Sequence, residues 1–150
     1  MDLPLNKPHH FFFLTIPFIL VLAFNKYKGM FDINIHDTYF VIKYSHLGFL
    51  LSSFYFLLGL IHFFLSKKRI GLSNLITYTH TIVSIGGLIL IWLLLKQINK
   101  EPTQNIEDIL KTIHINEYLN FSCIITFISI LFIQLIFFIG VLWKLAKNPF

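Results

Sequence analysis

Charge is scarce in this chain. Only 13% of its 150 residues are Asp, Glu, Lys or Arg, against about a quarter in soluble domains. There is one cysteine, Cys123, so no intrachain disulfide can form and the redox compartment is not legible. Two methionines are too few for a thioether copper site. The chain has no HExxH, no Gly-rich phosphate loop, no G-x-S-x-G and no CxxC, so the common metalloprotease, nucleotide, hydrolase and dithiol chemistries have no motif to rest on. It also has no internal repeat and no low-complexity tract. What it has is apolar: 56% hydrophobic residues, 18 phenylalanines and a mean hydropathy of +0.74. One domain of this length cannot bury that much apolar surface against itself, so a bilayer must take part. The net charge of +5 is informative through its placement and is not a nucleic-acid signal.

Four apolar segments stand out. The shortest, Phe11–Phe24, has a lysine on either side and lacks an A-x-A-like cleavage site, which favours an uncleaved span over a signal peptide. Thr38–Leu65, Ile70–Leu95 and Tyr118–Trp143 are each long enough to cross as helices. The expected fold is therefore an all-α, integral membrane four-helix bundle forming a single domain over 1–150. Its helices lie near 10–26, 38–65, 70–95 and 118–144. Between the last two, Ile106, Ile109, Leu110 and Ile113 recur at helical spacing, with Asn105 as a cap. They predict a short interfacial helix near 104–114 that lies flat on the membrane.

Lys67, Lys68 and Arg69 form the tight turn between the second and third spans. With Lys7, Lys144 and Lys147 they fall on one side. Lys26, Lys28, Lys43, Lys96, Lys100 and Lys111 fall on the other, diluted by six acidic residues. Short basic loops carry the positive-inside signal best, so both termini are expected inside.

Small and polar residues line one face of the second span (Ser45, Gly48, Ser52, Tyr55, Gly59, His62) and of the third (Ser73, Thr77, His80, Ser84, Gly87). Such stripes mark close helix contacts. The short turn suggests that the two stripes meet, with the Tyr55 hydroxyl near the His80 ring. On this reading His62 and His80 are structural groups. The fourth span carries Ser122, Thr126, Ser129 and, further on, Gln134.

One stretch breaks the apolar pattern: "MFDINIHDTYFVIKYSH", Met30 to His46. Read from the residues alone, Asp37 caps a helix starting at Thr38, Tyr39 and Tyr44 are interfacial aromatics, and Lys43 snorkels. Yet "DINIHDTYFVIKYSH" resembles the segment of haem-copper oxidase subunit I (cytochrome c oxidase and quinol oxidase) that leads into its tenth transmembrane helix. "GLIHFF" (Gly59–Phe64) resembles the inner end of that helix. "GLSNLITYTHTIVSIGG" (Gly71–Gly87) resembles the eleventh, with His80 at a family histidine. "FISILFIQLIFF" (Phe127–Phe138) is similar, more weakly, to the twelfth. The likeness covers most of this chain but only the C-terminal region of the oxidase subunit, its last four helices.

The resemblance implies roles residue by residue. His36 and Asp37 match positions that line a magnesium site. His46 matches the axial histidine of the low-spin haem. Tyr44 stands where the family has the proximal histidine of the oxygen-reducing haem. The copper ligands, the second low-spin ligand and the proton pathways belong to helices that this sequence does not contain, so it is no stand-alone oxidase and at most a subunit of a respiratory terminal oxidase. Three functions follow, in order of weight. The first is a non-catalytic structural or accessory subunit that packs against another membrane protein, such as a respiratory oxidase complex, or against a second copy. The second is a haem-binding electron-transfer fragment using His46. The third is a cation-binding or transport protein using His36 and Asp37. By itself the chain is expected to hold no cofactor, haem or magnesium requiring partner chains. The implied location is a bacterial or mitochondrial inner membrane, with both termini on the cytoplasmic or matrix side.

Overall fold

A computed structural model describes residues 7–25, 29–35, 37–98 and 106–147. Four helices carry the chain: α1 (Pro8–Asn25), α2 (Tyr44–Lys67), α3 (Asn74–Ile98) and α4 (Ile106–Lys147). A two-stranded hairpin, β1 (Met30–Ile35) and β2 (Thr38–Lys43), lies between α1 and α2. All four helices are long and apolar enough to cross a membrane, and the protein is an integral membrane protein of all-helical spans. The chain divides into two compact units, Met1–Gly71 and Leu72–Phe150.

In the first unit α1 and α2 run antiparallel. Phe12 meets Tyr55 and His62, while Phe24, at the other end of α1, meets Phe49. α1 has 18 residues, about 27 Å at the helical rise, so the polar residues at its N-terminus complete what the apolar run alone could not. α2 begins at Tyr44, six residues later than the sequence suggested. Thr38–Lys43 is instead a strand, because Thr, Tyr, Phe, Val and Ile in succession fit a pleated strand better than a helix start. Its register with β1 runs from Met30↔Lys43 to Ile35↔Thr38, and the Tyr44 N–H donates to the Gly29 carbonyl at 3.2 Å, closing the base of the ladder. Asp37 is thus an exposed turn residue and not a helix cap. The residue preceding α2 is Lys43, which makes no side-chain capping bond.

The basic turn ends α2 where the sequence placed it. The Ile70 N–H donates to the Leu65 carbonyl at 3.0 Å and the Arg69 N–H to the Ser66 carbonyl at 3.2 Å. This is the crossed bonding of a Schellman stop. Arg69 takes the left-handed position, with φ 55°, where glycine is usual. Lys67, in the last turn, complements the negative end of the helix dipole.

In the second unit α3 and α4 are also antiparallel, with Gly87 beside Ile130 and Thr126, and Gly140 beside Leu72 and Ile76. The surface helix expected near 104–114 is not a separate element. From Ile106 the backbone continues without a break into the fourth span, making α4 42 residues long, about 63 Å. Nothing between Ile106 and Ile139 is Pro or Gly, so no residue there breaks the helix. Two Trp–Lys pairs have the make-up of interfacial anchors. Lys96 Nζ lies over Trp92 at 5.6 Å, and Lys147 Nζ over Trp143 at 4.7 Å. The Gly87 and Gly140 contacts put Trp92 level with the region of Ser122 and Cys123 on α4. The two indoles are then about 31 Å apart along the axis, close to the ~30 Å of a hydrocarbon core with its aromatic belts.

Candidate functional site

Several polar residues inside the spans lie on buried helix faces, whereas Ser53, Ser122 and Ser129 are exposed. In α2, five of the six stripe residues are buried: Gly48, Ser52, Tyr55, Gly59 and His62. In α3 the buried set is His80, Thr81, Ser84 and Gly87, and in α4 it is Gln134, Phe137 and Val141.

His80 is the centre of the second unit and has no exposed surface. Its Nε2–H donates to Gln134 Oε1 at 2.8 Å, and the Gln134 amide donates in turn to Ser84 Oγ at 2.9 Å. The ring stacks on Phe137 at 3.9 Å between centroids, only 12° from parallel. The i, i+4 spacing of His80 and Ser84 lets a single amide from α4 bridge both. Bonded polar groups of this kind hold membrane helices together, and leaving one unpaired in hydrocarbon is costly. Thr79 and Thr81 return their hydroxyls to carbonyls of their own helix, as do Ser122, Thr126 and Ser129 of α4.

The first unit is built from rings and close backbone approach. Phe12, wholly buried, lies 5.9 Å from the Tyr55 ring and stacks on His62 at 5.2 Å. A Cβ added at Gly48 would collide with the Cβ of Ala23, and one at Gly59 would stand 2.7 Å from the Phe13 ring. His9, in the first turn of α1, is buried edge-on against Phe63 at 5.6 Å. Two buried polar atoms of this unit, His9 Nδ1 and Ser52 Oγ, have no hydrogen-bond partner among the described residues.

The residues singled out by the oxidase resemblance are placed differently. Asp37 is exposed in the hairpin turn, and His46 is exposed in the first turn of α2, two residues after a half-buried Tyr44. His36 lies outside the described residues. Among the described residues, no three His, Cys, Asp or Glu side chains gather so as to hold a metal ion. A magnesium site would need several oxygen ligands, of which Asp37 offers one carboxylate. A haem would find in His46 one accessible imidazole.

The sequence stripes identified most of the buried face of α2 and, on α3, His80, Ser84 and Gly87, whereas Ser73 is exposed and Thr77 half-buried. Sequence reasoning looked for their partners only across the Lys67–Arg69 turn and missed the contacts that α1 and α4 make with them. The signal was present: Gln134 is the one glutamine in the apolar run Phe121–Trp143, and such a residue needs a bonding partner.

No family model matches the chain, and no curated protein or solved structure matches it.

Proposed function

We propose that this protein is a non-catalytic structural or accessory subunit of a membrane assembly, built like the C-terminal helices of haem-copper oxidase subunit I and packing against another membrane protein. The observation that carries this reading is the His80–Gln134–Ser84 chain. The most deeply buried ionisable group of the spans is used to hold two helices together, stacked on Phe137 and bonded through its Nε2. Large apolar side chains such as Leu131, Leu135, Ile139 and Leu142 stay exposed along α4, a surface suited to lipid and to a neighbouring membrane helix. The basic turn at Lys67–Arg69 supports a location in an inner membrane with both termini on the cytoplasmic or matrix side.

A second reading is supported by the exposure of His46. An imidazole free at the first turn of a span can serve as one axial ligand of a haem whose other ligand comes from a partner chain. The cation-binding reading rests on Asp37, exposed at the hairpin turn, together with its neighbour His36 in the sequence.

Purification of the tagged chain in mild detergent, with an absorption spectrum of the eluate, separates these readings. The accessory role expects a membrane protein recovered in fixed ratio, and no haem band that depends on His46. A sharp low-spin spectrum abolished by His46→Ala supports electron transfer. Recovery of the chain alone, with stability that rises on adding magnesium, supports the cation role.

A further inference from the structure

The hairpin between α1 and α2 is two-faced. Its register sets Phe31 opposite Ile42, Ile33 opposite Phe40 and Ile35 opposite Thr38. Residues directly opposite in an antiparallel pair share a face, and successive residues alternate. Among the described side chains, one face therefore carries Thr38, Phe40 and Ile42. The other carries Met30, Val41 and Lys43. The first unit leaves Phe40 47% exposed, so helices α1 and α2 do not cover the apolar face there. An isolated two-stranded ribbon is marginal in water and gains stability by resting on a surface.

We propose that the β1–β2 ribbon is an interfacial membrane anchor, lying at headgroup level with the face that bears Phe40 and Ile42 against the acyl chains. Continuity of the backbone selects lipid as the occupant. The ribbon leaves the end of one spanning helix and runs directly into the next, with Gly29 and Tyr44 bonded across its base. Its arms, about 20 Å long for six residues each, start at the bilayer boundary. Depth is limited by the backbone. The outer edge of each strand leaves peptide groups unpaired by the ladder, which need water or headgroups and cannot enter hydrocarbon. Lys43 and Asp37, both exposed, fit the same level, the lysine reaching phosphate and the turn staying in water. This inference is independent of the subunit reading.

The test uses spin labels in a Cys123→Ser background, in vesicles of phosphatidylcholine and phosphatidylglycerol. Labels are placed singly through Phe40→Cys, Val41→Cys, Ile42→Cys and Lys43→Cys. The expected result is an alternation of period two. Positions 40 and 42 collide with oxygen and are shielded from a water-soluble nickel chelate, whereas 41 and 43 show the reverse. Thr38→Cys, on the same face with little change in volume, reports oxygen access even if labelling at Phe40 disturbs the ribbon. Nickel access at 38, 40 and 42 would place the face in water and overturn the proposal. Shielding from both reagents would mean that protein, a second copy or a partner, covers it, and would overturn it equally.

Discussion

The two helical pairs solve one problem by different means. Membrane helices gain no hydrophobic drive from meeting each other, so they associate through close packing and hydrogen bonds. The α1/α2 pair relies on shape. Gly48 admits Ala23, Gly59 admits the Phe13 ring, and Phe12 fills the space beside Tyr55 and His62. The α3/α4 pair relies on a bonded chain, His80 to Gln134 to Ser84, with Gly87 giving room to Ile130. The first arrangement fails when volume is added, and the second when a donor or acceptor is removed.

The sharpest way to break the comparison is Gly48→Val. The Ala23 Cβ is attached to backbone and cannot rotate away, so the helices must separate. The expected loss is about 2–3 kcal/mol, read by unfolding in mild detergent. A neutral result would show that shape does not govern this pair. Gln134→Leu comes next, at about 1–2 kcal/mol, because it leaves the His80 N–H and the Ser84 hydroxyl without their shared amide. Combined with His80→Phe it should cost less than the two single changes together. Additive losses would remove the bond from the account.

The adjacent glycines of α3 give a smaller effect with opposite signs. An added Cβ at Gly87 meets Ile130 at 2.8 Å, whereas at Gly86 it meets nothing within 4 Å. Gly86→Ala should raise stability by up to about 0.5–1 kcal/mol through helix propensity, and Gly87→Ala should lower it. Equal shifts of one sign would mean that α4 does not pack where Gly87 indicates. The smallest effect belongs to Asp37→Ala. As an exposed turn residue, Asp37 should matter by no more than about 0.5 kcal/mol. A loss near ~1 kcal/mol, the worth of a helix cap, would favour a helix starting at Thr38 over the ribbon.

The spans were legible because about twenty apolar residues in succession admit few alternatives, and the basic turn because three cations in a row cannot stay in hydrocarbon. The ribbon was hidden. Thr38–Ile42 is as apolar as the helix that follows, and composition alone does not separate a strand from the first turns of a span. The alternation in Met30–Ile35 was the available clue. The length of α4 was missed for a related reason: Asn116 and Glu117, between the expected surface helix and the fourth span, look like a loop, but neither is a helix breaker, and a helix propagates at little cost once begun. The site residues suggested by resemblance were harder still. His46 and Asp37 are exposed, and exposure alone does not assign a ligand.

The unbroken course of α4 has a mechanical consequence. From the level of Cys123, opposite Trp92, to Ile106 the helix reaches about 26 Å with neither Gly nor Pro to absorb bending. It is a stiff extension of the segment that packs on α3. A tilt of about 10° in the span swings its tip by roughly 5 Å at that length. A load applied at Ile106–Glu117 therefore reaches the His80–Gln134 bond as torque.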